Sequence, residues 1–221
     1  MKIIVTTCNE YLHILRGFVY MFNKHWSPNA EVTVLGYNFP TFDLPDNFKF
    51  ISLGKQEEYG REWTTALIPY FTHMQLPDEY FIYLADDYYI LDVNEFLMYE
   101  AEKHMIDGIE KVHLTNFSNR VFNEEKDVNF NIWDQDAKYR LALQPTFIRR
   151  DYFLKYLNTG KTIWQYERNF NDPRNDGAQI LVAKQNIVSY SNFSTHRGIA
   201  PIQMSKIRKE DLDILKQLGV F

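Results

Sequence analysis

Two adjacent carboxylates, Asp86 and Asp87, close the apolar run Tyr80–Ala85. A nearly continuous apolar stretch is what a strand covered on both faces requires. In a parallel sheet, ligands gather beyond the carboxyl ends of the strands. Oxygen ligands at such a place suit a hard divalent cation. Mg²⁺ or Mn²⁺ takes one or two carboxylates and completes its shell with water and substrate phosphates. The spacing sets a condition, because successive strand side chains point to opposite faces. Either the chain bends at the pair, or one carboxylate takes the cation while the other takes a hydroxyl or a positive side chain. A simple turn or cap is the competing reading. It is weakened by the next four residues, since Tyr88-Tyr89-Ile90-Leu91 continues apolar without Gly, Pro or Asn. Two charges in such a setting cost several kcal/mol unless paired or metal-bound.

The elements that must position the pair alternate in type. Residues 2–6 read as a strand, and Leu12, Leu15, Val19 and Phe22 mark one face of a helix over 12–22. Short strands are expected at 32–35 and 48–51, separated by the breaker-rich stretch 38–47 with Pro40 and Pro45. A helix over 63–74 should be kinked or interrupted by Pro69. After the pair, Asp92 with Glu95 three residues on offers a helix N-cap, and Phe96, Leu97, Ala101 and Met105 line the helix. Further strands are expected at 111–114, 141–143 and 186–190, and a closing helix at 210–218 is stopped by Gly219. Strand and helix alternating in this way imply an α/β fold, with right-handed crossovers and a mostly parallel central sheet flanked by helices.

Bulk properties bound the rest. The 221 residues carry no repeat, low-complexity tract or Gly/Ser-rich linker, so a single domain over 1–221 is the simplest organisation. With 45% hydrophobic residues the chain can bury a large core without disulfides. The single cysteine, Cys8, excludes an internal disulfide and points to a reducing, cytoplasmic setting. No run approaches the ~20 apolar residues of a membrane span. A net charge of −5 argues against a nucleic-acid partner. It leaves room for small phosphorylated ligands, which Arg149-Arg150 or Arg197 could hold. Walker, dinucleotide-fingerprint, zinc-protease and nucleophile-elbow motifs have no match.

Four stretches, in order along nearly the whole chain, together resemble a small GT-A-type glycosyltransferase of bacterial and viral surface-sugar pathways. They are Thr6-Thr7-Cys8-Asn9-Glu10-Tyr11 with its helix ending Lys24-His25-Trp26-Ser27-Pro28, then Arg61-Glu62-Trp63, then Phe81-Ile82-Tyr83-Leu84-Ala85-Asp86-Asp87-Tyr88, which is similar to a DxD-type metal motif. The fourth runs from Leu143-Gln144-Pro145 through Arg149-Arg150-Asp151 to Trp164-Gln165-Tyr166-Glu167. A strict Asp-x-Asp is absent, and the sequence offers Ala85-Asp86-Asp87 instead.

The resemblance implies a single GT-A-like (Rossmann-like) domain, with residues 1–115 binding the nucleotide sugar and 116–221 forming the acceptor side and closing helix. It implies a nucleotide-sugar donor, a UDP-sugar first among candidates, and a glycan or other hydroxyl acceptor. Mn²⁺ or Mg²⁺ would bridge the donor diphosphate to Asp87, with Asp86 as second ligand or donor contact. The loop residues Thr6, Thr7, Asn9 and Tyr11 would hold the nucleoside. Glu167 first, and Asp176 second, would deprotonate the acceptor hydroxyl in an inverting transfer. His196 would add a metal ligand and Arg197 a phosphate contact. Trp164 and Tyr166 could stack on a sugar face, although core packing is the commoner role of aromatics. Acceptor choice would reside in 116–136. Two other readings use the same residues: a sugar nucleotidyltransferase or phosphohydrolase on a related sheet, and a non-catalytic sugar-binding module. Against the nucleotidyltransferase, the stretch 6–11 has neither Gly nor Lys.

Overall fold

Alternation builds the sheet around the first strand, β1 (Ile3–Thr6): Ile3 and Val5 enter the core on one face, and Ile4 enters the core on the other. The computed structural model describes residues 2–73, 79–117, 122–168, 175–193 and 204–220. After a short 3₁₀ turn the chain forms α1 (Leu12–His25), β2 (Val32–Gly36), β3 (Phe48–Ser52), α2 (Gln56–Tyr59) and α3 (Trp63–His73). Next come β4 (Tyr80–Ala85), β5 (Tyr88–Val93), α4 (Glu95–Ile106), β6 (Lys111–His113), β7 (Glu124–Glu125) and β8 (Phe130–Ile132). The last elements are β9 (Thr146–Arg149), α5 (Arg150–Tyr156), α6 (Ile163–Glu167), β10 (Ile180–Ala183), β11 (Val188–Asn192) and α7 (Lys209–Gln217).

Among the described residues the large sheet has nine strands in the order β3-β2-β1-β4-β9-β6-β10-β8-β7. All run in one direction except β9 and β8, so the sheet is mostly parallel, as expected. Helices α1, α4 and α7 pack on one face and α3, α5 and α6 on the other. A second sheet of two antiparallel strands, β11-β5, lies on the α1 side. Gly17 makes that contact possible, because a Cβ there would run into the Tyr89 hydroxyl of β5, which donates to the Ile14 carbonyl at 2.9 Å. The closing helix is tied to α1 by Asp211, a buried acid bonded to Tyr20, Lys24 and His25.

Two expectations, the Asp92 cap and the strand at 141–143, are corrected. The chain after the pair forms β5, with Asp92 opposite Ser189 on β11. The α4 cap is therefore Asn94, whose side chain accepts from the Leu97 amide at 3.0 Å. Residues 141–143 are not a strand: the Lys111 ammonium takes the carbonyls of Arg140 and Ala142, and Glu167 takes the Leu143 amide, which diverts these groups from a ladder. The strand there is β9, which begins after Pro145 and inserts antiparallel between β4 and β6. Pro69 lies inside α3, which runs on past it to His73.

Candidate functional site

The order β3-β2-β1-β4 places β1 at the point where the strand sequence reverses, so the crevice beyond the ends of β1 and β4 is the ligand-binding position of such sheets. Thr6 ends β1 and is aligned with Ala85 at the end of β4. Thr7 and Asp86 come next, and they meet: the Thr7 hydroxyl donates to Asp86 Oδ2 at 2.5 Å. On the opposite face Thr6 Oγ1 and the Tyr83 hydroxyl share a buried hydrogen bond of 2.6 Å. Gly36, at the end of β2, leaves room for this arrangement, since a Cβ would clash with the Thr7 methyl and Phe50.

The chain bends at the pair, which meets the condition set by strand alternation. Asp86 still belongs to the large sheet, its amide donating to the Thr6 carbonyl at 3.3 Å. Asp87 already belongs to the small sheet, its carbonyl accepting from the Phe193 amide at 2.7 Å. Asp86 is buried and Asp87 half-buried. Burial, and then the neighbouring Asp87 charge, hold the Asp86 carboxyl well above its ordinary range. Burial pushes Asp87 up to about 6, and Glu167 pushes the same way.

Glu167 ends α6, a helix begun by the Thr162–Gln165 capping box. It is half-buried rather than solvated, and its Oε1 accepts from the Leu143 amide at 2.7 Å. Burial raises its pKa, opposed by that bond and by the charges of Lys111 and Arg168. Tyr88 of β5 and Tyr190 of β11 stand together, ring centroids 4.6 Å apart. Burial and the charges of Asp87 and Glu167 raise both phenols. The carboxylates and this aromatic wall therefore share one electrostatic neighbourhood.

The other expected residues have varied places. Asn9 Oδ1 accepts from the Asn38 amide, and its own amide donates to Gln56 Oε1, so it pins the loop after β1 to the chain just past β2 and to the start of α2. Tyr11 packs half-buried against the α1-side core. Asp176 is tied up elsewhere: it accepts from Arg140 Nη2, the Tyr156 hydroxyl and the Ala178 amide. Burial would raise its pKa, but these bonds hold it below the usual carboxylate range. Tyr166 is buried with Trp63 and Phe153, whereas Trp164 is exposed. His196 and Arg197 lie outside the described residues. Arg149 pairs with Tyr80, at the start of β4, and so sits at the edge of the sheet opposite Asp86. Its guanidinium is spent on the Met105 and Ile109 carbonyls at the end of α4.

The donor set fits a hard divalent cation. Among the described residues no three His, Cys, Asp or Glu side chains gather as a metal-holding group, so the site offers two carboxylates. That is the number Mg²⁺ or Mn²⁺ needs from protein when water and phosphates fill the remaining positions. Positive charge there would also relieve the burial that raises both acids.

Comparison with known proteins agrees at the level of fold. The structure matches that of S. aureus TarS 1–349 in complex with UDP-GlcNAc, with a TM-score of 0.54 at 14% identity, over 99% of this chain and 65% of that one. The chain has a GT-A-like fold. It is also similar to CMP:2-keto-3-deoxy-manno-octonic acid synthetase complexed with CTP, with a TM-score of 0.51 at 13% identity over 92% of this chain and 96% of that one. A third match is 4-diphosphocytidyl-2C-methyl-D-erythritol synthase from Anaerococcus prevotii, at 0.50 and 11% over 92% and 94%. The chain spans 59% of the galactosyltransferase LgtC, another structure it matches. No protein-family model and no curated protein sequence matches. A protein solved with UDP-GlcNAc and a synthetase solved with CTP thus share this fold. Among the described residues no helix is long and apolar enough to cross a membrane.

Proposed function

We propose that this chain transfers a sugar from a nucleoside-diphosphate sugar, a UDP-sugar foremost, to a hydroxyl of a glycan acceptor, using Mn²⁺ or Mg²⁺ held by Asp87 and Asp86. One observation carries the proposal. Two partly desolvated acids, without a cationic side chain in bonding contact among the described residues, lie at the reversal point of the sheet, with a third acid, Glu167, close enough to perturb Asp87. When bound, the cation would neutralise the donor diphosphate and the charge of the departing nucleoside diphosphate.

The chain's own groups supply the rest. The Thr7 hydroxyl fixes Asp86 Oδ2 and so orients the pair. The loop carrying Thr6, Thr7, Asn9 and Tyr11 cradles the nucleoside, and the chemistry of Arg197 and His196 suits a phosphate contact and a further metal ligand. Tyr88 and Tyr190 shield the reacting centre from water. Glu167, raised by burial toward the working pH, accepts the proton of the attacking hydroxyl. Asp176, held ionised by its own partners, anchors the fold around it.

The matches to nucleotidyltransferases over more than nine-tenths of both chains favour a second reading, nucleotidyl transfer to a sugar. The loop 6–11 lacks the Gly and basic residue expected for gripping a triphosphate. Products decide. With Mn²⁺ and a panel of UDP-sugars, release of nucleoside diphosphate supports sugar transfer. Pyrophosphate formed from a nucleoside triphosphate and a sugar phosphate would replace the first reading with the second. Neither product, together with no Mn²⁺-dependent thermal shift, would leave a binding module.

A further inference from the structure

Lys111 on β6 is fully buried, and no step of the proposed transfer uses it. Its register neighbours, Ile148 on β9 and Ile180 on β10, belong to the core beneath α3, α5 and α6, so the Lys111 side chain leaves the sheet on that face. There Nζ donates to the Arg140 carbonyl at 3.2 Å and to the Ala142 carbonyl at 2.6 Å. The Ala142 carbonyl and the Leu143 N–H are the two ends of one planar, conjugated peptide group. The far end of that group donates to Glu167 Oε1 at 2.7 Å. An ammonium, a peptide and a carboxylate are thus joined in a row.

A cation on the carbonyl oxygen draws electron density through the peptide and strengthens its N–H as a donor, the cooperative effect seen in hydrogen-bond chains. The peptide cannot swing away. Arg140, close before it, is locked by bonds to the Trp133, Asp134 and Ala178 carbonyls and to Asp176. A methionine of similar length would fill the space around Lys111 without the cost of burying an ammonium. What the ammonium adds is the polarised peptide. The geometry points to Lys111 as a positioning residue that holds and orients Glu167 through the peptide joining Ala142 and Leu143. Its importance for turnover rests on the reading of Glu167 as the base.

The charged groups on this row are few. Lys111 faces Glu167 and Arg140, and burial lowers it to about 7. Glu167 also feels Arg168, and its charge reaches Asp87, Tyr83, Tyr88, Tyr166 and Tyr190.

Lys111→Met in the full chain tests the link by two routes. In the folded variant the Leu143 amide proton moves upfield and exchanges faster with solvent. Donor turnover with acceptor falls about tenfold in kcat with donor KM nearly unchanged, the expected effect of weakening one charge-assisted bond. The acid limb of the kcat–pH profile moves to higher pH. The double variant with Glu167→Gln is no slower than Glu167→Gln alone, because both changes cut the same row. An unmoved Leu143 amide, or losses that multiply in the double variant, would overturn the proposal. If Lys111→Met does not fold, wild-type protein labelled at lysine Nζ gives the answer. The Leu143 amide must then titrate together with Lys111 Nζ, and separate titration overturns the link. If Glu167→Gln turns over like wild type while the Leu143 amide still tracks Lys111, the link stands and the assignment of Glu167 as base falls.

Discussion

Asp211 and Asp86 are both buried carboxylates, yet their surroundings push them in opposite directions. Burial alone would raise Asp211, but bonds from Lys24 at 2.5 Å, Tyr20 at 2.8 Å and His25 at 3.0 Å overcome it and hold the acid low. Asp86 receives the Thr7 hydroxyl and backbone donors but has Asp87 as its charged neighbour, and it is held high. The fold can therefore surround an acid with donors, the Lys24 ammonium among them, where it ties α1 to α7. At the sheet's carboxyl edge it gives two acids no bonded cationic partner among the described residues. Perturbed acids of the second kind cluster at functional sites because the missing partner arrives with the ligand.

The contrast can be broken by experiment. The largest effect is expected from Asp87→Asn, which should lower donor turnover about a thousandfold or more by removing a ligand of the proposed charge-stabilising cation. Its melting temperature should hold or rise, since a half-buried charge with no bonded cation among the described residues disappears. Turnover close to wild type, measured as nucleoside diphosphate release, would remove Asp87 from the site. Asp211→Ala should do the reverse. It removes the buried acceptor shared by Tyr20, Lys24 and His25 and should cost about 2 kcal/mol in urea unfolding, while turnover per folded molecule stays the same. Ligand linkage comes next. Mn²⁺ with a nucleoside diphosphate at about a hundred times Kd should stabilise the wild type by about 2.7 kcal/mol. Asp211→Ala should keep that gain and Asp87→Asn should lose it.

The smallest effect is in the pH dependence of stability. The folded-state pKa of Asp87 is raised to about 6, so between the unfolded value of about 3.9 and pH 6 the folded state binds more protons than the unfolded one. Stability from this group therefore falls as pH rises through that window, and Asp87→Asn should flatten the slope. Asp211 has the opposite sign. Its contribution is present above about 3.9 and is lost as pH falls through its lowered folded value, so Asp211→Ala should remove part of the acid-side loss.

Much of this was legible from the residues. Short apolar runs located β1, β2, β3 and β4 because their side chains are largely buried, and helical spacing located α1 and α4. The carboxylate pair could be read because two acids interrupt an apolar run. The missed elements share a cause. Strand β5 comes after β4 with only the two acids between, so a single apolar stretch conceals a change of sheet. Strand β9 is four residues long and antiparallel, set by its neighbours β4 and β6 rather than by local pattern. Lys111 gave no signal, because a lone lysine opening a strand reads as surface until the turn at residues 139–141 is folded over it. Tyr190 became part of the site only through its pairing with Tyr88 across the small sheet.

The two-residue junction between β4 and β5 has a further consequence for how this chain can vary. Each acid is fixed by a different backbone ladder, Asp86 by Thr6 and Asp87 by Phe193. The relative aim of the two carboxylates is inherited from main-chain register rather than from the identity of core side chains. Such a site is forgiving of substitution and unforgiving of insertion. Swaps such as Leu84→Met leave both ladders in place, whereas one residue added between Ala85 and Tyr88 turns one acid away from the crevice. In a collection of random variants of this chain, length changes at 86–87 should be purged more completely than any side-chain change in β4.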